Sequence, residues 1–275
     1  MKADIEKIEI DLFLEAIFKC YGYDFQLYAR ASIKRRIKHL MKKNGYNRIS
    51  DMTSDILHDP SVFEKVVYDF SITVTEMFRD PSFYQSLRNK IIPYLKTYPF
   101  IKIWHAGCAT GEEVYSLAIL LKEEGIYNKA TIFATDFNEH ALDVARQGIY
   151  SLKDTQKYST NYQKAGGKAS FSDYYYARYN SAIMRKSLSK NVTFANHNLV
   201  TDGVFGEMHL ILCRNVLIYF NKDLQNKVLT LFNESLIHGG FLALGSKETL
   251  SFSSIENDFK PIDKKNKIFR KIKKG

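Results

Sequence analysis

The sequence predicts an α/β protein built on a mostly parallel, doubly wound sheet whose last strand is antiparallel, with a small all-helical N-terminal domain and a small inserted antiparallel β-subdomain. Three observations carry this. From Ile8 to about Tyr84 the apolar spacing is helical, and no segment reads as a strand. After Pro93 and Pro99, short apolar runs alternate with amphipathic helical patterns, as in a sheet wound by helical crossovers. Between Ser151 and Lys190 that alternation lapses into a polar, tyrosine-rich stretch with a Gly-Gly turn. The expected domains are 1–84, helical with a linker, and 85–275, the α/β domain carrying an insertion at about 151–190.

In the helical part, RASIKRRIKHLMKKNG (30–45) spaces Ile33, Ile37, Leu40 and Met41 for one apolar face, and Lys34, Arg35, Lys38, Lys42 and Lys43 project elsewhere. Gly45 closes the helix after a basic last turn, which suits its dipole. In the α/β part, FIKIWHAG (100–107) reads as a strand ending in glycine and EVYSLAILLKEEG (113–125) as a helix. KATIFATD (129–136) is a second strand ending in an acid, and NEHALDVARQGIY (138–150) a helix. MHLILC opens a further strand, DLQNKVLTLFNESLIHGG (223–240) a helix stopped by glycine, and FLALGS and KIFRKI give two more strands. The lysine-rich C-terminus reads as an edge strand with solvated charges, which also discourages strand-to-strand aggregation.

A 275-residue chain with 45% hydrophobic residues can bury a large core without outside help. No stretch of 18 or more apolar residues occurs, and the charged N-terminus lacks a signal-peptide block, so a cytoplasmic protein is expected. Cys20, Cys108 and Cys213 lie far apart with no metal-ligand spacing, and neither disulfides nor a metal site is expected. A net charge of +10 favours an acidic partner, which nucleic acid, anionic lipid or a glutamate-rich protein surface would each satisfy.

The chemistry gathers after the first α/β strand. In IWHAGCATGEE, Gly107 and Gly111 form a turn into a helix, where backbone N–H groups approach a ligand closely. It is neither GxGxxG nor a P-loop. Two acids behind the turn repel a pyrophosphate but suit an ammonium, and Asp136 at the end of the next strand is placed for ribose hydroxyls. A carboxylate for an amino group with an acid for a ribose describes S-adenosyl-L-methionine better than a nicotinamide dinucleotide.

ITVTEMFRDP (72–81), GCATGEE with YSLAI behind it, ATD, Asn198-Leu199, CRNVLIYF and HGGFLALGSKETL resemble the CheR family of chemotaxis receptor methyltransferases in order and spacing. YGYDF and IKRRIKHLM resemble that family's N-terminal domain, and the similarity runs from about Ile10 to Arg270. The resemblance implies a Rossmann-like methyltransferase sheet and methyl esterification of glutamate side chains on the cytoplasmic helices of chemoreceptors, with S-adenosyl-L-homocysteine as product. A glutamate is already ionised at neutral pH, so the attack needs no general base and no metal, and alignment supplies most of the rate.

By that resemblance Arg79 holds the target carboxylate beside the cofactor and Tyr219 lines the methyl-transfer site. Thr73 and Thr75 sit against the cofactor's methionine end, Gly107 in the turn, Glu112 at its amino group, Asp136 at the ribose and Asn198 with Leu199 at the adenine. Arg214 and Asn215 follow a strand at the ligand edge. Lys34, Arg35, Arg36 and Lys38 are expected to dock the receptor, and a monomer is expected. The family motif has asparagine where Thr73 stands, and Val114 replaces a proline after the Glu-Glu pair. A nucleic-acid methyltransferase fits the charge, but no Pro-Pro occurs where an amino-methylating motif would have one. A non-catalytic adaptor of the same fold has no need of Arg79, Glu112, Asp136 and Tyr219 together. A relative serving a receptor-like system outside swimming is compatible with every motif.

Overall fold

The computed structural model describes residues 2–70 and 75–272, and the chain divides into two compact units. The first comprises Met1–Ile72 with Tyr219–Lys227, and the second Thr73–Ile218 with Val228–Gly275. The division falls at Ile72, ahead of the expected boundary at 84. Met77 and Phe78, in the expected linker, are instead buried in the large core of the second unit.

The first unit holds α1 (Lys2–Tyr21), α2 (Arg30–Asn44), α3 (Ile49–His58) and α4 (Pro60–Phe70). Phe13, Leu14 and Ile17 of α1, Ile33, Ile37 and Leu40 of α2, Met52 and Ile56 of α3, and Val66 and Phe70 of α4 are buried. Gly45 ends α2 in the left-handed region, its N–H bonded to the Met41 carbonyl, as its place in the sequence predicts. The chain returns to this unit where Tyr28 pairs with Phe220 in an antiparallel bridge. Ala29 N–H donates to the Tyr219 carbonyl at 2.9 Å and Asn221 N–H to that of Leu27 at 2.9 Å.

The second unit opens with α5 (Pro81–Ser86), a π-helical turn and α6 (Ile92–Leu95). Then follow β1 (Ile101–Ala106), α7 (Glu112–Glu123), β2 (Ala130–Asp136), α8 (Glu139–Gln147), β3 (Ile149–Ser151), α9 (Thr155–Lys164), β4 (Tyr175–Arg178), β5 (Ser181–Met184), β6 (Val192–Asn196) and β7 (Met208–Cys213). Helix α10 (Lys222–Ser235) begins in the first unit and ends in the second, which closes with β8 (Leu236–Leu244), β9 (Phe259–Asp263) and β10 (Ile268–Lys271). The large sheet has the order β6-β2-β1-β7-β8-β10-β9. It is parallel from β6 to β8, and β10 runs antiparallel between β8 and β9. Strands β3, β5 and β4 make the separate antiparallel sheet of the insertion.

Four details depart from the sequence reading. β6 and β9 were not expected. Helix α10 stops at Ser235, because Leu236 already pairs with Met208 and the Gly-Gly pair falls inside β8, next to a register shift. The insertion also carries a helix, α9, whose Tyr158 and Tyr162 are buried. Finally, β10 is interior rather than an edge. Lys271 is buried and its ammonium donates to the carbonyls of Asn233 at 2.7 Å and Leu236 at 3.0 Å, while Arg270 stacks on Tyr94 and Phe241.

Candidate active site

The carboxyl end of β1 leads into a turn that glycine makes possible. Gly107 has φ of 74°, and a Cβ there would meet Val216 Cγ2 at 2.5 Å, so no other residue fits without displacing the loop after β7. The N–H groups of Gly107 and Cys108 both reach the Thr135 carbonyl on β2, at 2.8 and 2.9 Å. Ala109 adopts φ of 49°, and its N–H donates to Asp136 Oδ2 at 2.9 Å. The other oxygen of Asp136 accepts from Asn138 N–H at 3.0 Å. Burial raises the Asp136 pKa, and these N–H groups offset part of the rise. One carboxylate therefore joins the glycine turn to the end of β2.

Glu112 and Glu113 open α7, and their surroundings differ. Glu112 is 6% exposed and accepts a hydrogen bond from Thr110 Oγ1 at 2.7 Å. No cation pairs with it among the described residues, and burial pushes its pKa up to about 7. Glu113 is equally buried, but Arg214 NH1 reaches it at 2.7 Å and His105 Nε2 at 3.0 Å. Burial alone would raise its pKa, yet Arg214 and His105 prevail and hold it at about 2.

Arg214 is the hub of the second arrangement. Its guanidinium lies 4.0 Å from the centre of the Phe83 ring, and its NH2 reaches Asp80 at 2.7 Å. Asp80 and Phe78 are both in the left-handed region, at φ of 57° and 53°. Between them stands half-buried Arg79. Phe78 is fully buried, with its N–H on Ser116 Oγ of α7 at 2.9 Å. Arg79 is thus presented by a strained turn clamped on both sides. Asp80 pairs with Arg214 and Glu76 with Lys157, so neither acid next to Arg79 in sequence is idle.

Thr75 is half-buried, and Thr73 lies outside the described residues. Asn198 accepts from Val200 N–H at 3.0 Å in a turn that buries Leu199. The Arg214 side chain, expected to face the cofactor, is committed to Glu113 and Asp80 instead. Asn215 has φ of 63°, and its N–H donates to Glu248 Oε2 at 3.1 Å. Glu248, which the sequence reading passed over, also accepts from Gly245 N–H at 2.5 Å and Ile218 N–H at 3.4 Å, and so fixes the loop after β7. Its signal was a lone acid in an otherwise apolar and small-residue stretch.

In the first unit, half-buried Tyr219 has the Arg36 guanidinium 4.8 Å from its ring centre. Arg36 is 6% exposed and so does not share the solvated basic face expected of it. Its position explains this, since 33, 36, 37 and 40 are successive steps along one helix face and all four are buried. Lys34 and Lys38 are exposed but share Glu6 of α1, and Lys43 pairs with Asp69 at 3.0 Å. Arg35 is exposed and forms no ion pair among the described residues.

Glu112 is the group in the turn whose chemistry discriminates most between cofactor classes. A buried carboxylate without a cation, beside a glycine turn and one strand away from Asp136, accepts an ammonium and rejects a phosphate. Such chemistry on an α/β sheet is compatible with S-adenosylmethionine, and the chain's match to known families names the class. Residues 73–268 match the S-adenosylmethionine (SAM) binding domain of CheR methyltransferases and residues 8–71 their all-alpha domain, so the chain belongs to the CheR methyltransferase family. It is 53% identical to a Pseudomonas putida protein described as a methyltransferase, Cher3, over 96% of this chain and 97% of that one. It is 30% identical to chemotaxis protein methyltransferase 1 of Vibrio cholerae, over 80% of this chain and 81% of that one. With the chemotaxis protein methyltransferase of Listeria monocytogenes it shares 28% identity over 91% of this chain and 93% of that one. No helix among the described residues is long and apolar enough to cross a membrane.

Proposed function

We propose that this methyltransferase esterifies glutamate side chains on the cytoplasmic helices of chemoreceptors, acting as a cytoplasmic monomer in sensory adaptation. The observation that carries the reading is the buried Glu112 at the head of α7, which has no paired cation among the described residues, in a chain of this family. The names of the Vibrio and Listeria relatives support the setting in chemotaxis.

Bound S-adenosylmethionine supplies an electrophilic sulfonium methyl group. Glu112 would hold the cofactor's amino group and Asp136 its ribose hydroxyls, and the Gly107 turn, having no side chain there, would leave room for it. Thr73, Thr75, Asn198, Leu199 and Asn215 complete the contacts, with Arg214 acting through its hold on Asp80. Arg79 fixes the target carboxylate by a charge-assisted hydrogen bond, and Tyr219 offers it a neutral donor. No residue needs to take a proton, because a glutamate is ionised at neutral pH. Alignment is what the strained turn at Arg79 provides, and alignment alone is worth about 7–11 kcal/mol in favourable cases. The exposed face of α2 at Lys34, Arg35 and Lys38 meets the acidic receptor helices.

Two measurements test this. Titration calorimetry with S-adenosylhomocysteine should show micromolar-range binding that Asp136→Ala removes. Incubation of a chemoreceptor cytoplasmic fragment with methyl-labelled S-adenosylmethionine should label glutamates in a form released as methanol by mild base. Label stable to base would reject the ester, and tight S-adenosylhomocysteine binding without any transfer would favour an adaptor.

A further inference from the structure

The hairpin between β9 and β10 reads DKKNK (263–267), and its tip lies at the sheet edge that carries the candidate site. Strands β1, β2, β7 and β8 run parallel, and the Gly107 turn, Asp136 and Asn215 sit at or just beyond the carboxyl ends of the first three. Leu244, at the carboxyl end of β8, donates its N–H to the Lys267 carbonyl at 3.0 Å, which puts the tip at that same end. The tip is also fastened to α5 and the turn behind it. Ser82 Oγ donates to Asn266 Oδ1 at 2.8 Å, Ser86 Oγ to Asp263 Oδ2 at 2.7 Å, and Lys90 pairs with Asp263 at 2.9 Å. Within the tip, Asp263 accepts from the backbone and side-chain nitrogens of Asn266, both at 3.0 Å. Ser82 stands three residues after Arg79, so their Cα atoms are at most about 11 Å apart.

The charge at this edge is one-sided. Lys264 and Lys265 are exposed, Lys267 is half-buried at φ of 52°, and exposed Lys247 lies three residues beyond Leu244; none of the four forms an ion pair among the described residues. The acids nearby are engaged elsewhere: Asp263 within the tip and with Lys90, Asp80 with Arg214, and Glu248 with backbone N–H groups. Helix α5 and the π-helical turn after it contain no acid. We propose that Lys247, Lys264, Lys265 and Lys267 form a docking rim for acidic residues that flank the target glutamate on the acceptor helix. The proposal rests on the reading that Arg79 holds that glutamate. An α-helix advances about 5.4 Å per turn, so a helix with its target at Arg79 brings side chains about two or three turns away over the tip. The cations they meet are held by β8 and α5, so the rim sets where along the acceptor the enzyme stops as well as drawing it in. A lipid surface laid on the same edge would cover the cofactor site, whereas a helix can lie along it.

The test compares the full chain with Lys264→Gln/Lys265→Gln, Lys264→Glu/Lys265→Glu and Lys247→Glu. One arm measures kcat and KM for methylation of a chemoreceptor cytoplasmic fragment. The others need no turnover: affinity of the S-adenosylhomocysteine-loaded protein for that fragment, S-adenosylhomocysteine affinity itself, thermal midpoint, and binding to phosphatidylserine vesicles. Lys264→Glu/Lys265→Glu should raise KM and weaken fragment binding about three- to tenfold at low salt, with the Gln pair between it and the wild type. Its kcat, S-adenosylhomocysteine affinity and thermal midpoint should stay unchanged, because both lysines are exposed and lie outside the cofactor contacts. The difference between variant and wild type should collapse when salt is raised from about 0.05 M to about 0.5 M. A fragment whose acids flanking the target are replaced by lysine should reverse the order and bind Lys264→Glu/Lys265→Glu better than the wild type.

Methylation and fragment binding that ignore the reversed charges overturn the rim and leave the assigned reaction intact. So does a loss that is equal at both salt concentrations, or a loss of vesicle binding alone, which would give the lysines to a membrane. A fragment that binds through the rim but acquires no base-labile methyl group supports the docking surface and rejects the reaction. A fragment that neither binds nor reacts overturns both.

Discussion

Arg214 and Arg36 are buried to nearly the same extent, 7% and 6% exposed, yet they solve the problem of a buried cation in opposite ways. Arg214 is held between Glu113 and Asp80 over the face of Phe83, so its charge is neutralised and its geometry fixed by two elements. Arg36 has no carboxylate partner among the described residues, and its guanidinium faces the Tyr219 ring and Tyr28. The first arrangement is an anchor: breaking it leaves uncompensated acids. The second is a held charge, and removing it relieves the fold. Glu113 and Glu112 repeat the contrast in anions at adjacent positions, one held at about 2 and the other pushed up to about 7. Burial alone therefore does not tell a compensated charge from an uncompensated one; the pairing does.

The largest expected effect is at the anchor. Arg214→Met should destabilise the second unit by about 3–5 kcal/mol, because Glu113 and Asp80 lose their shared cation. Trp104, the single tryptophan and fully buried in that unit, reports its urea unfolding by fluorescence. Equal stability of Arg214→Met and wild type would erase the distinction between the two arginines. Glu113→Gln should cost less, about 1.5–3 kcal/mol, since neutral hydrogen bonds to Arg214 and His105 remain possible. Glu112→Gln should leave unfolding unchanged or slightly harder at pH 8 while weakening S-adenosylhomocysteine binding, about tenfold by calorimetry.

The pH dependence sharpens the contrast further. For Glu112 the folded value of about 7 lies above the ordinary value of 4.5, so the folded protein binds the extra proton between them. Its charge destabilises the cofactor-free protein above pH 7, and the penalty is relieved as pH falls from 7 toward 4.5. Cofactor affinity runs the other way. The ammonium needs the ionised carboxylate, so S-adenosylhomocysteine affinity should fall by up to about tenfold per unit below pH 7, and Glu112→Gln should flatten this slope. For Glu113 the folded value of about 2 lies below 4.5, so its stabilisation is complete above pH 4.5 and is lost as pH falls toward 2. The smallest effect is thus one of slope: between pH 4.5 and 2 the wild type should lose this stabilisation while Glu113→Gln, lacking the titrating group, should not, so the two stabilities converge over that window.

Much of this was legible in the sequence. The turn at Gly107 follows from a glycine between an apolar strand and an acidic helix start, and Asp136 from its place as the last residue of the next strand. Pairing was less legible. Glu112 and Glu113 are identical as letters, and only the fold brings Arg214 and His105 to one of them. Arg36 stood at a core spacing, but its neighbours Lys34, Arg35 and Lys38 made it look like part of a solvated face. Lys271 misled for a related reason, since its partners are backbone carbonyls of residues 233 and 236, which no side-chain pattern announces. The edge strand β9 contains Pro261, which fits an edge but hides a strand from propensity alone. β6 is short and lacks a continuous apolar run, so its pairing with β2 rather than its composition defines it.

The return of Tyr219–Lys227 to the first unit has a consequence in the order of synthesis. The helices up to α4 leave the ribosome first, but the segment that pairs with Leu27 and Ala29 follows residues 73–218, a stretch that takes roughly 7–30 s to translate. For that interval the Leu27–Ala29 backbone has no strand beside it and the Tyr28 ring lacks its contact with Phe220. The unit begun first is therefore finished late, and a nascent chain halted after Ile72 should be cut by protease near Tyr28 far faster than the released protein.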